Sequence, residues 1–186
     1  MTATQAKIKK ISLLFRWLFM MMLIVVPLVH ILSWLNAPTP IDISGNLGFF
    51  SSVVPKGVEI LHPLSFSTKL IGFLIGTIPV IVIEFILYFL IRLFKLYEQA
   101  EIFSIQNVTY IKKIGSTLLI SQIVILICNG LLSVVLTWNN PPGSRALTLT
   151  ILGTNISMIF TAFIIILIAW IMAEGCQLRE EQQLTI

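Results

Sequence analysis

The chain has 186 residues, is 57% hydrophobic and only 11% charged, and carries a net charge of +4. A soluble domain carries about a quarter charged residues, so this composition excludes an ordinary water-soluble globule. The surplus of cations suggests nucleic acid at first, but its distribution along the chain points to membrane orientation instead.

Four apolar runs, residues 13–35, 70–94, 114–138 and 147–173, are each long enough to cross a bilayer as a helix, which takes about 20 residues. Backbone polar groups in lipid must be satisfied internally, which leaves helices or a closed barrel. Barrel strands alternate polar and apolar residues; these runs do not, so the expected fold is all-α, a four-transmembrane-helix bundle in one domain, 1–186.

Residues 1–12 read as a short basic arm lying on anionic headgroups, with Lys7, Lys9 and Lys10. The first span follows and carries Pro27 and His30. Its length and the poor Leu35-Asn36-Ala37 site favour an uncleaved anchor over a signal peptide. The connection 36–69 contains Phe49, Phe50 and four prolines, and no secondary structure is assigned to it.

The second span opens with Gly72-x-x-x-Gly76, a spacing that lets two helix backbones approach closely, and then meets Pro79. Its notable residue is Glu84, near mid-membrane. An ionised carboxylate there costs at least a few kcal/mol, which favours the neutral acid facing the bundle interior. At about 100° per residue, Thr77 and Tyr88 fall within about 40° of Glu84 and share its face. Arg92 lies two turns further on.

The connection 95–113 is the most polar stretch. Ser104 is a good N-cap, and Ile105, Val108 and Ile111 recur at helical spacing, so the third helix is expected to start near Ile105. Within it, Gln122 and Asn129 share a face, with Ser133 one turn beyond Asn129. Asn139-Asn-Pro-Pro-Gly-Ser144 is a tight turn. The fourth span carries a hydroxyl stripe, Thr150, Thr154, Ser157 and Thr161, with Asn155 beside it. Facing stripes predict a hydrogen-bonded interior that either glues the helices together or lines a polar pathway.

Nine of the 12 Lys and Arg residues (Lys7, Lys9, Lys10, Arg16, Arg92, Lys95, Lys112, Lys113 and Arg179) fall on one side of this layout. Only Lys56, Lys69 and Arg145 fall on the other. The positive-inside rule then puts both termini in the cytoplasm. Trp17 and Trp170 sit at the expected inner interface, Trp34 and Trp138 at the outer one. Cys128, in the third span, and the tail thiol Cys176 have no pairing or metal-site spacing. His30 and His62 are too far apart in sequence to suggest a ligand pair. No phosphate loop, catalytic triad or zinc motif is present. No cofactor, metal site or catalytic residue is expected.

Two stretches carry a family signature. Glu101-Ile-Phe-Ser-Ile-Gln-Asn107, followed by Ile111-Lys-Lys-Ile-Gly115, resembles a G-E-I-F-T-x-E-N…L-R-x-I-G block. Leu178-Arg-Glu-Glu-Gln-Gln-Leu-Thr-Ile186 resembles L-x-E-E-x-D-L-T-V. Both are similar to the bacterial four-helix membrane family catalogued as domain of unknown function 2975. Ala100 stands where that family usually has glycine, and Gln183 where it has an acid. The resemblance implies no established activity and a helix-turn-helix regulator as partner.

The expectation is therefore a non-enzymatic, multi-pass protein of the bacterial inner membrane, bound to lipid and not directly to nucleic acid. It would present a cytoplasmic surface, 96–113 plus 174–186, with Glu101, Asn107, Arg179, Glu180 and Glu181 facing a partner. The alternative is a small homo-oligomeric transporter or channel subunit in which Glu84, Thr77, Tyr88, Gln122, Asn129, Thr154 and Ser157 form a polar intramembrane site. A membrane enzyme ranks third, for want of a nucleophile and base.

Overall fold

A computed structural model describes residues 3–35, 37, 54–99, 101, 103–149 and 153–184. They form four helices: α1 (Ala3–Leu35), α2 (Phe66–Glu98), α3 (Ile105–Thr137) and α4 (Gly153–Leu184). There is no strand among the described residues. At about 1.5 Å per residue, helices of 32 or 33 residues exceed the roughly 30 Å hydrocarbon core and project beyond it.

Local chemistry sets the helix starts. Ser65 caps α2: its Oγ accepts the Thr68 amide at 3.2 Å. Ser104 caps α3 as expected, accepting the Asn107 amide on Oγ at 3.4 Å. The basic arm is not separate, since α1 runs without interruption from Ala3; nothing in its sequence breaks a helix before Pro27. The fourth run, expected over 147–173, also shortens at its start, because α4 begins at Gly153 and the described residues 147–149 are not helical. The cause lies in α3. Ser133 Oγ accepts the Thr148 amide at 2.9 Å and Thr137 Oγ1 accepts the Ala146 amide at 3.1 Å, which ties this segment to α3 outside any helix.

Every helix is long and apolar enough to cross a membrane, with mean hydropathy of 2.4 to 2.7 in its best stretch. Little of that apolar surface is buried within the chain: 28% of the best stretch in α3, but only 11% in α4. So much outward-facing leucine, isoleucine and phenylalanine is untenable in water and ordinary in lipid. α4 is the helix most given over to lipid or to neighbouring chains.

The chain divides into two compact units. The first comprises Met1–Ile24, Ile83–Ile120 and Thr154–Ile186. Here Phe94 packs against Phe15 and Phe19, each at 5.4 Å between ring centroids. Ala162 and Ala169, seven residues apart on α4, are both fully buried. Gly115 of α3 lies so close to the first of them that an added Cβ would stand 3.2 Å from the Ala162 carbonyl oxygen. Small residues on both helices permit this approach. Cys176 is a free thiol, as its position suggested, and it is buried.

The second unit comprises Val25–Val82 and Ser121–Gly153. Its core is Trp34, Ala37, Leu64, Leu132 and Leu136. Trp34 is therefore a core residue, whereas Trp17, Trp138 and Trp170 are exposed as interfacial rings should be. The Gly72 and Gly76 pair works differently from the expected backbone contact. It makes a slot for the rings of Trp34 and His30, and a Cβ on Gly72 would come within 2.2 Å of Trp34 Cη2.

Candidate functional site

The intramembrane candidates are divided between the two units. Thr77 belongs to the second unit, and Glu84 and Tyr88 to the first. Thr77 Oγ1 donates to the Phe73 carbonyl at 2.7 Å and lies 3.2 Å from His30 Nε2. His30 is buried and stacks on Phe73 at 5.2 Å. It is thus a satisfied packing residue on α1, which holds α1 to α2. Tyr88 is exposed and binds Arg92 instead, accepting from Nε at 3.0 Å with the guanidinium 5.3 Å from its ring.

Glu84 is half-buried, and its Oε1 is buried without a hydrogen-bond partner. No amide or hydroxyl of α3 or α4 bonds this atom. Two features explain the mismatch. Gln122 turns to its own neighbour, donating to Ser121 Oγ at 3.0 Å, and Asn129 is only half-buried. The α4 stripe faces away from the chain's interior: Thr154, Ser157 and Thr161 are all exposed, and Thr161 Oγ1 donates to the Ser157 carbonyl of its own helix at 2.8 Å. A hydroxyl satisfied by the preceding turn needs no partner across the bundle. Facing polar stripes are therefore absent among the described residues.

The Glu84 side chain is nearly isosteric with glutamine. Glu84→Gln should shift the unfolding free energy in detergent by no more than about 0.5 kcal/mol, as for a surface change. Thermal unfolding of the purified variant checks this, and failure to fold would show that the carboxyl group is required for structure.

At the other candidate surface, Asn107 is corrected outright. It is fully buried and presents nothing to a partner. Its Nδ2 donates to the Glu101 carbonyl, so it anchors the α2–α3 connection from below. Glu101, Phe103 and Gln106 remain exposed around it. On α4, Leu178, Arg179 and Glu181 are exposed, while the side chain of Glu180 lies outside the described residues.

Sequence reasoning missed two arrangements. Arg16 on α1 pairs with Glu98 at the end of α2, Nη1 donating to Oε2 at 2.6 Å. Both fall on the same side of the expected layout, which is a usable signal, but the partner choice is not. The second is Asn140, which is buried and organises the α3–α4 turn. Its Oδ1 accepts the Leu61 amide at 3.2 Å, and its Nδ2 donates to the carbonyls of Glu59 at 2.9 Å and Ser144 at 3.2 Å. No group of three or more His, Cys, Asp or Glu residues suited to a metal occurs among the described residues.

Four lipid-length apolar helices define a multi-pass helical membrane protein. A family model described as "Protein of unknown function (DUF2975)" matches residues 4–186, and the chain belongs to that family. No curated protein and no solved structure matches the chain.

Proposed function

We propose that this is a non-enzymatic protein of the bacterial inner membrane, with both termini in the cytoplasm, that holds a cytoplasmic partner on the surface formed by its tail and its α2–α3 connection. The observation that carries this reading is the end of α4. The helix continues to Leu184 through a run of charged and amide residues, Gln177-Leu-Arg-Glu-Glu-Gln-Gln183, and exposes Leu178 beside Arg179 and Glu181. An apolar side chain flanked by both charges on a projecting helix is a common form of protein-binding surface. The exposed Phe103 adds a second apolar anchor outside the helices. Aromatic anchors of this kind carry much of the energy at interfaces.

The partner chemistry follows from the family resemblance: a small DNA-binding regulator of the helix-turn-helix type. Crosslinking in intact membranes, followed by purification of the full chain, should recover that regulator. The double substitution Leu178→Ala with Arg179→Ala should lower recovery roughly tenfold, the equivalent of about 1.4 kcal/mol. Absence of any regulator from the crosslinked material would overturn the proposal.

The transporter or channel reading draws on one feature, the unpartnered Oε1 of Glu84. The outward stripe on α4 weakens it for a single chain, because the hydroxyls meant to line a pathway with Glu84 face elsewhere.

A further inference from the structure

The turn between α3 and α4 and the segment preceding α2 enclose a cleft of about 300 Å³ within the second unit. Glu59 and Arg145 line it, together with Gly57, Thr137, Asn140 and Gly143. Cavities of roughly this size and upward are the usual range for small-molecule sites.

The frame of the cleft is built and internally satisfied. Asn140 ties the Glu59–Leu61 segment to the turn through three hydrogen bonds. Thr137 accepts the Ala146 amide and fixes the start of the following segment. Gly57 and Gly143 hold positive φ values of 82° and 98°, which close the two turns and keep side chains out of the opening. The uncharged polar groups of the wall are therefore committed to holding its shape.

The charges are not committed in the same way. Glu59 and Arg145 are both exposed, and they form no ion pair with each other. Arg145 is held by an aromatic face instead, its guanidinium 5.4 Å from the Trp138 ring centroid. That contact restrains the side chain while leaving its N–H fork available. One small cleft is thus lined by an arginine restrained through Trp138 and by a glutamate that is not paired with it.

We propose that this cleft binds a short zwitterion, a molecule with a carboxylate and an ammonium group a few atoms apart. The ligand carboxylate takes the Arg145 fork and the ligand cation takes the Glu59 carboxylate, since charge-assisted pairs are the strong ones. A simple anion or cation satisfies only half of the site.

Isothermal titration of the full-length protein in detergent tests this with glycine betaine and γ-aminobutyrate as probes. Acetate and tetramethylammonium serve as single-charge comparators. Saturable millimolar binding of at least one zwitterion is expected, with each comparator weaker by about tenfold. Glu59→Gln and Arg145→Gln should each reduce zwitterion affinity by a similar factor. Both positions are exposed, so an unchanged melting temperature should accompany the loss. Lack of saturable binding by either zwitterion overturns the proposal. So does binding that survives both substitutions, or acetate binding as tightly as the zwitterions.

Discussion

Gly72→Val is expected to destabilise the protein by about 3 kcal/mol, at or beyond the upper end of the usual overpacking cost. A Cβ at this position would stand 2.2 Å from Trp34 Cη2 and 2.7 Å from Cζ3. Those atoms have nowhere to go. Trp34 is 5% exposed and wedged among Ala37, Leu64, Leu132 and Leu136. Moving the indole opens the core of the second unit, and keeping it forces α1 and α2 apart. Gly76→Ala should cost less, because its Cβ would meet His30 Cε1 at 3.0 Å and Trp34 Nε1 at 3.3 Å. Gly153→Ala should be nearly silent, since nothing lies within 4 Å. Denaturation of the three variants in one detergent gives the ranking. A Trp34→Phe change removes the atoms in conflict, so combining it with Gly72→Val should cost less than the two single changes added together. Equal losses at all three glycines would mean that helix propensity, and not the Trp34 slot, governs these positions.

The helices were legible because bilayer physics leaves so few options. A run of about 20 apolar residues without alternation has one folded form in lipid. Ser104 announced α3 because a capping hydroxyl acts on amides two or three residues away, a purely local matter. Positions failed where the deciding partner is remote in sequence. The stripe Thr154, Ser157 and Thr161 was correctly placed on one face, but periodicity does not say whether that face turns inward or outward. Hydroxyls give no firm answer either, because each can bond its own helix, as Thr161 does. Trp34 misled for a related reason. A tryptophan near a span end suits the interface equally well as the core, and the slot left by Gly72 and Gly76 decides for the core. Asn107 looked like surface because it lies in a polar, family-like block; its burial comes from the return of the chain at Glu101.

Asn140 shows the same limit most sharply, and its replacement is the second large effect expected. In sequence it is one of two adjacent asparagines before a Pro-Pro turn, with nothing to separate it from Asn139. In the structure Asn139 is exposed and Asn140 is 3% exposed, with its amide bonded to Leu61, Glu59 and Ser144. Asn140→Ala strands one amide and two carbonyls at once. A buried group left without its partner costs about 1–3 kcal/mol, and entry of some water into the turn moderates the sum. A loss of about 3 kcal/mol is expected, against less than about 0.5 kcal/mol for Asn139→Ala. Asn140→Asp should not rescue it. A carboxylate still accepts from Leu61 but points an anion at the carbonyls of Glu59 and Ser144, which asparagine serves as a donor. Hydrogen exchange at the Leu61 amide reads the clamp directly and should quicken in both Asn140 variants. Because this side chain also holds Glu59 opposite the α3–α4 turn, zwitterion binding should fall with it even where the helices remain folded. Fast exchange at Leu61 with unchanged stability would mean that the clamp shapes the cleft without supporting the fold.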